Sequence, residues 1–78
     1  MSFHLLPSLT SRKIIRALRQ LGFIEDRQKG SHLVMINHQT KRLTVVPVHR
    51  GKTVKKSLLR KIILEDAQIS IEDFLKKL

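Results

Sequence analysis

With 78 residues and no cysteine, the chain has room for one domain and excludes a disulfide framework, a cysteine-ligated zinc site and thiol chemistry. A chain this short buries only about 60% of the surface its unfolded form exposes, which argues against an elaborate multi-substrate enzyme. Its formal charge of +10 is concentrated: ten Lys or Arg and no Asp or Glu lie between Arg27 and Leu64, whereas outside that window six basic residues offset six acidic ones.

Taken in chain order, Thr10 or Ser11 is a fitting N-cap for a first helix over roughly 11–21. Ile14, Leu18 and Leu21 recur there at helical spacing, Ile15 widens the stripe, and Gly22 supplies a C′ stop. Arg12, Arg16 and Arg19 form a basic stripe on the opposite side. Three extended segments follow, Phe23 to Gln28, Ser31 to Asn37 and Leu43 to Val48, separated by the Lys29-Gly30 turn and the polar loop from His38 to Arg42. They predict an antiparallel meander, with Pro47 at an edge or near a strand end. After the loop "HRGKT" (49–53), Thr53 is the expected cap of a second helix that buries Leu58, Leu59, Ile62 and Ile63 and carries Lys52, Lys56 and Arg60 on another side. "SIED" (70–73) has the form of a capping box for a short third helix, with Lys76 and Lys77 in its last turn. The expected class is α+β, a single domain over 1–78 of order αβββα with a three-stranded antiparallel sheet, helices on one face and a short C-terminal helix.

A domain this small must present the central cations as one positive surface, for which phosphate is the natural counterpart. Lys55 and Lys56 fall in the first turn of the second helix, where the helix dipole disfavours cations by about 0.3–1 kcal/mol each, so their placement suggests a ligand. Three Phe and no Tyr or Trp leave little for a base-stacking platform. Recognition by shape, phosphate and 2′-hydroxyl, as in double-stranded-RNA-binding domains of the same element order, fits better. No apolar run approaches the ~18 residues of a membrane span, and "MSFHLLPSLTSRK" has no basic region ahead of its apolar residues, so the expectation is a soluble, cytoplasmic protein. Leu33 to Ile36 and Val45, Val46 and Val48 are apolar on both sheet faces, which leaves an apolar face beyond what two helices cover.

The segments "ALRQLGF" (17–23), "RQKGSHLVM" (27–35), "VVPVHRGK" (45–52) and "LLRKIILEDAQISIEDFLKKL" (58–78), in this order, resemble the HicA family of small toxins. These are messenger-RNA interferases from bacterial toxin–antitoxin pairs, with a fold like a double-stranded-RNA-binding domain. Many members have a second histidine after Gly-Ser-His; Leu33 stands in that place here. The resemblance implies that activity belongs to the first histidine, His32, and that a cognate HicB-type antitoxin masks the RNA surface.

RNA carries its own nucleophile, the 2′-hydroxyl, so cleavage needs a base, an acid for the departing 5′-oxygen, and positive charge around the phosphate. Histidine, with an ordinary pKa of about 6.5, serves either proton-transfer role. His32 is therefore the catalytic candidate, with Gly30 permitting close backbone approach, Ser31 supplying a hydroxyl, and Lys29 or a lysine of the second helix neutralising charge. His49, Arg50, Lys52, Lys55, Lys56 and Arg60 complete the candidate RNA-binding set, His49 also being a candidate second proton carrier. His38 and His4 are expected to face solvent. No His or carboxylate pair has ligand-like helical spacing, so neither metal nor cofactor is expected. The alternatives are a non-catalytic basic RNA-binding module and an adaptor whose only partner is a protein.

Overall fold

The first helix begins where the sequence offers a cap. The computed structural model describes residues 6–78, so the expectation for His4 lies outside the described residues. Its elements are β1 (Leu9–Thr10), α1 (Ser11–Gln20), β2 (Ile24–Lys29), β3 (His32–Asn37), β4 (Arg42–Pro47), β5 (Thr53–Val54), α2 (Lys56–Arg60), a π-helical continuation (Lys61–Asp66) and α3 (Ile71–Leu75). Thr10 Oγ1 accepts the Lys13 N–H at 3.5 Å and starts α1. Leu21 is its C-cap and Gly22, at φ +99°, turns the chain towards β2. Ser70 caps α3 by accepting the Asp73 N–H at 3.0 Å, with Glu72 and Asp73 in the first turn as read from the sequence.

β2, β3 and β4 form the expected antiparallel meander, each strand within one residue of its predicted bounds. β4 is an edge strand and Pro47 its last residue, so the missing N–H interrupts no central ladder. Alternation sorts the side chains by face. Leu33 and Met35 of β3 and Thr44 and Val46 of β4 point inward. There they join Ile14, Ala17 and Leu18 of α1, Leu59 of α2, Ile62 and Ile63 of the π-helical segment, Phe23 and Phe74 in one core. Each large side chain so buried is worth about 1.5–3 kcal/mol. The helices cover this inner face, and the outer face is left open.

Three local expectations need correction. Thr53 does not cap the second helix: it pairs with Thr10 in a separate two-stranded ladder, and Val54 pairs with Leu9. Burying Val54 beside Leu9 in a hydrogen-bonded ladder outweighs one side-chain cap. Lys55 is consequently the N-cap, with no side-chain hydrogen bond, and Lys52 lies in the turn before β5 rather than along the helix. Lys76 is the C-cap of α3 and Lys77 lies beyond it, so neither sits inside the last turn.

Candidate active site and nucleic-acid interface

The chain reverses between β2 and β3 through two residues, Gly30 and Ser31, closed by the paired Lys29 and His32. Gly30 has φ +58°, the left-handed value a type II′ hairpin needs at its first loop position. A Cβ there would meet no atom within 4 Å, so its backbone is open to an approaching ligand. The Ser31 carbonyl accepts the Val48 N–H at 2.6 Å, which fastens the following loop to the hairpin turn. That loop closes by a bond from the Lys52 N–H to the His49 carbonyl at 3.1 Å and leaves His49, Arg50 and Lys52 exposed.

His32 projects from the central strand onto the open outer face, flanked by Lys29 on β2 and Pro47 on β4. The next row is Arg27, Val34 and Val45, and the third is Ile24, Ile36 and Leu43. The apolar outer face anticipated from the sequence is therefore present, with Ile24 and Leu43 each about half exposed. A one-residue register shift at Asp26 decides which β2 side chains join it. The two-residue turn sets Lys29, and by alternation Arg27, on the histidine's face; without the bulge Glu25 would follow them there and Ile24 would turn inward, whereas with it Ile24 stands on the outer face and Glu25 opposite Met35 on the inner one.

Beside His32, along the β4 edge, lies a cleft of about 370 Å³. Leu43, Val45, Pro47 and Leu58 give it apolar walls, and Thr44, Lys61 and Asp66 give it one polar side. Thr44 Oγ1 donates to Asp66 Oδ2 at 2.8 Å, and Lys61 Nζ donates to Asp66 Oδ1 at 3.1 Å. Sequence reading missed Thr44 because its partner Asp66 lies 22 residues away, and missed the Lys61–Asp66 pair because it assumed an α-helix. On such a helix residues five apart point roughly 140° apart. Here the Ala67 N–H bonds the Ile62 carbonyl at 2.9 Å, five residues back, and this wider winding stacks Asp66 over Lys61.

A second, broader groove of about 910 Å³ runs along the opposite edge, between α1 and β2. Arg12, Lys13 and Arg16 of α1 and Arg50 of the loop line it, with Glu25 and Gln28 on the β2 side. Arg19 pairs with Glu25; among the described residues Arg12, Lys13, Arg16 and Arg50 make no ion pair. The sequence shows the α1 stripe but not its neighbour, because residues 12–16 and 50 meet only in the fold. The β1–β5 ladder also places the start of α2, with exposed Lys55 and Lys56, next to the start of α1. Arg60 is exposed on α2, and His38 is exposed in the β3–β4 turn. Of the predicted site, Lys29, Gly30, Ser31 and His32 form one hairpin end; His49, Arg50 and Lys52 are fastened beside it, and Lys55, Lys56 and Arg60 follow on α2. Among the described residues no group of three or more His, Asp or Glu is assembled, and no helix is long and apolar enough to cross a membrane.

Fold and site together define a small, basic α+β domain of the double-stranded-RNA-binding-domain type, with a histidine on its open sheet face, a cation-lined groove along the β2 edge and a largely apolar cleft along the β4 edge. Residues 11–69 match the family model for the HicA toxin of bacterial toxin–antitoxin systems, and the chain belongs to that family. The match spans α1, the whole sheet, α2 and the π-helical segment. No curated protein matches the chain. Membership implies a cognate antitoxin as partner.

Proposed function

We propose that this toxin is a metal-independent messenger-RNA endoribonuclease in which His32 transfers the proton. The observation that carries the reading is the exposed imidazole at the hairpin end, side by side with Lys29, in a member of a family whose toxins are generally RNases. The 2′-hydroxyl of the substrate attacks the adjacent phosphorus. His32 takes its proton, or returns one to the departing 5′-oxygen, and the phosphate's charge is met by Lys29 and the open Gly30-Ser31 backbone. His49, Arg50, Lys52, Lys55, Lys56 and Arg60 hold the sugar-phosphate chain around the hairpin end. Arg12, Lys13 and Arg16 extend that track along α1, beyond the residues the sequence singles out. A HicB-type antitoxin silences the toxin by covering this surface, and the pair works in the cytoplasm.

The test separates cleavage from binding. His32→Ala lowers the rate of RNA cleavage by about 10²- to 10⁴-fold, the usual worth of a general acid–base, while RNA affinity stays near that of the wild type. A substrate with deoxyribose at the cut position binds and remains intact, and chelators leave the rate unchanged. Full activity in a folded His32→Ala protein, or cutting of the deoxy substrate, defeats the mechanism. A wild-type protein that binds RNA tightly and cuts none is the non-catalytic module.

A further inference from the structure

We infer that the cleft beside His32 is a nucleobase subsite, in which Asp66 and Lys61, braced by Thr44, read the edge of one base next to the phosphate being cut. The inference rests on the RNA-cleaving reading for its ligand class, and it goes beyond it by assigning a pocket and a specificity role to residues outside the basic hairpin end.

The chemistry of the lining selects this occupant. A volume of about 370 Å³ lies at the small end of the ~300–1,000 Å³ typical of small-molecule sites. Val45, Pro47 and Leu58 offer apolar surface to the faces of a flat group, as apolar side chains do around bases held out of a stack. The polar side carries no net charge, since Lys61 and Asp66 neutralise each other at 3.1 Å. A phosphate there would lie against the Asp66 carboxylate, whereas among the described residues the one acid in the groove along α1, Glu25, is paired with Arg19 and leaves Arg12, Lys13, Arg16 and Arg50 without an ion pair. A neutral, planar, polar group fits the cleft and an anion does not.

The hydrogen bonds already made leave a usable pattern. Lys61 Nζ has three donors and spends them only on Asp66, through contacts of 3.1 and 3.4 Å. The two Asp66 oxygens offer about four acceptor sites, of which Lys61 and the Thr44 hydroxyl occupy part. A spare donor thus stands beside a spare acceptor, the complement of a base edge. Thr44 holds Asp66 from the sheet and the π-helical winding holds it over Lys61, so the pair is braced from two elements.

The experiment uses four hexaribonucleotides of uridine that differ only in one central base, with 2′-fluoro sugars that remove the nucleophile. Each is titrated into the full chain while backbone amide signals are followed by NMR. The amides of Thr44, Val45 and Lys61 are expected to shift, and the four dissociation constants to spread by about 5- to 150-fold, the worth of one good base-edge contact. Asp66→Asn and Lys61→Met, whose spectra report their own folding, should each reorder or flatten that spread. Silent cleft amides while α1 and the 49–52 loop respond would overturn the subsite, as would four equal affinities unaltered by Asp66→Asn. Base-selective binding in the cleft by a wild-type protein that leaves unmodified RNA uncut would remove the nuclease reading and leave the subsite standing.

Discussion

At Gly22 two constraints coincide that are separate elsewhere in the chain. Its φ of +99° is costly for an L side chain, and a Cβ would stand 2.9 Å from Nδ2 of Asn37. Asn37 is buried and cannot yield freely: its Nδ2 donates to the Leu21 carbonyl at 3.3 Å, and its Oδ1 accepts the N–H groups of Gln39 and Thr40 at 3.0 and 3.2 Å. Gly30 has the positive φ without the crowding. Gly30→Ala should therefore cost about 1–2 kcal/mol and Gly22→Ala distinctly more, as read by urea denaturation of both variants. Equal losses would show that Asn37 gives way. Thr44 makes a similar point for the cleft. Thr44→Val keeps the shape of a side chain that is 1% exposed but removes the donor to Asp66, with an expected loss of about 1–2 kcal/mol. A loss near zero in the same denaturation experiment would mean that Asp66 finds water instead.

Among the helices, the start of α2 differs from the other two. α1 and α3 are capped by Thr10 and Ser70, whereas the N-cap of α2 is Lys55, which makes no side-chain capping bond and is followed at once by Lys56. Lys55→Ser should raise stability by about 0.5–1 kcal/mol by supplying a cap and removing a cation from the positive helix end. In the proposed function the same change weakens RNA binding, so thermal melting and RNA titration should move in opposite directions. Lower stability, or unchanged affinity, would detach Lys55 from that role. The capping of α3 was legible because Ser70 and Asp73 are close in sequence. The winding of Lys61–Asp66 was not, because apolar residues at 58, 59, 62 and 63 satisfy an α-helical stripe equally well. Thr53 was misread for a related reason: a good local cap says nothing about a strand partner 43 residues away.

Across the whole molecule, cations from distant segments, α1 and the 49–52 loop, meet in one groove along the β2 edge of the sheet. RNA affinity should fall steeply with salt, each phosphate contact adding about 0.7 to the log–log slope for a single strand. Replacing Arg12 and Arg16 together by Gln should flatten the slope and raise KM while leaving kcat near its original value, because α1 lies on the opposite edge from the histidine's cleft. A fall in kcat with KM unchanged would place the scissile phosphate in that groove instead. In cells, expression of the toxin alone should arrest growth, and co-expression of its antitoxin should restore it. Normal growth with abundant folded protein and no partner would mark a pure binder or an inactive toxin.

The sequence alone determined the order of the helices and of the three-stranded sheet, the inward stripes of α1 and the sheet, and the turn at Gly30. All of these are short-range properties: hydrophobic period, a capping side chain, a glycine where φ must be positive, and charge counted along the chain. The tertiary structure decided what those segments face. A single bulge at Asp26 put Ile24 rather than Glu25 on the histidine's face, the β1–β5 ladder moved Thr53 out of the helix and brought two helix starts together, and a π-helical turn joined Lys61 to Asp66. Each depends on register or winding summed over many residues, where one inserted position changes the facing of every side chain that follows.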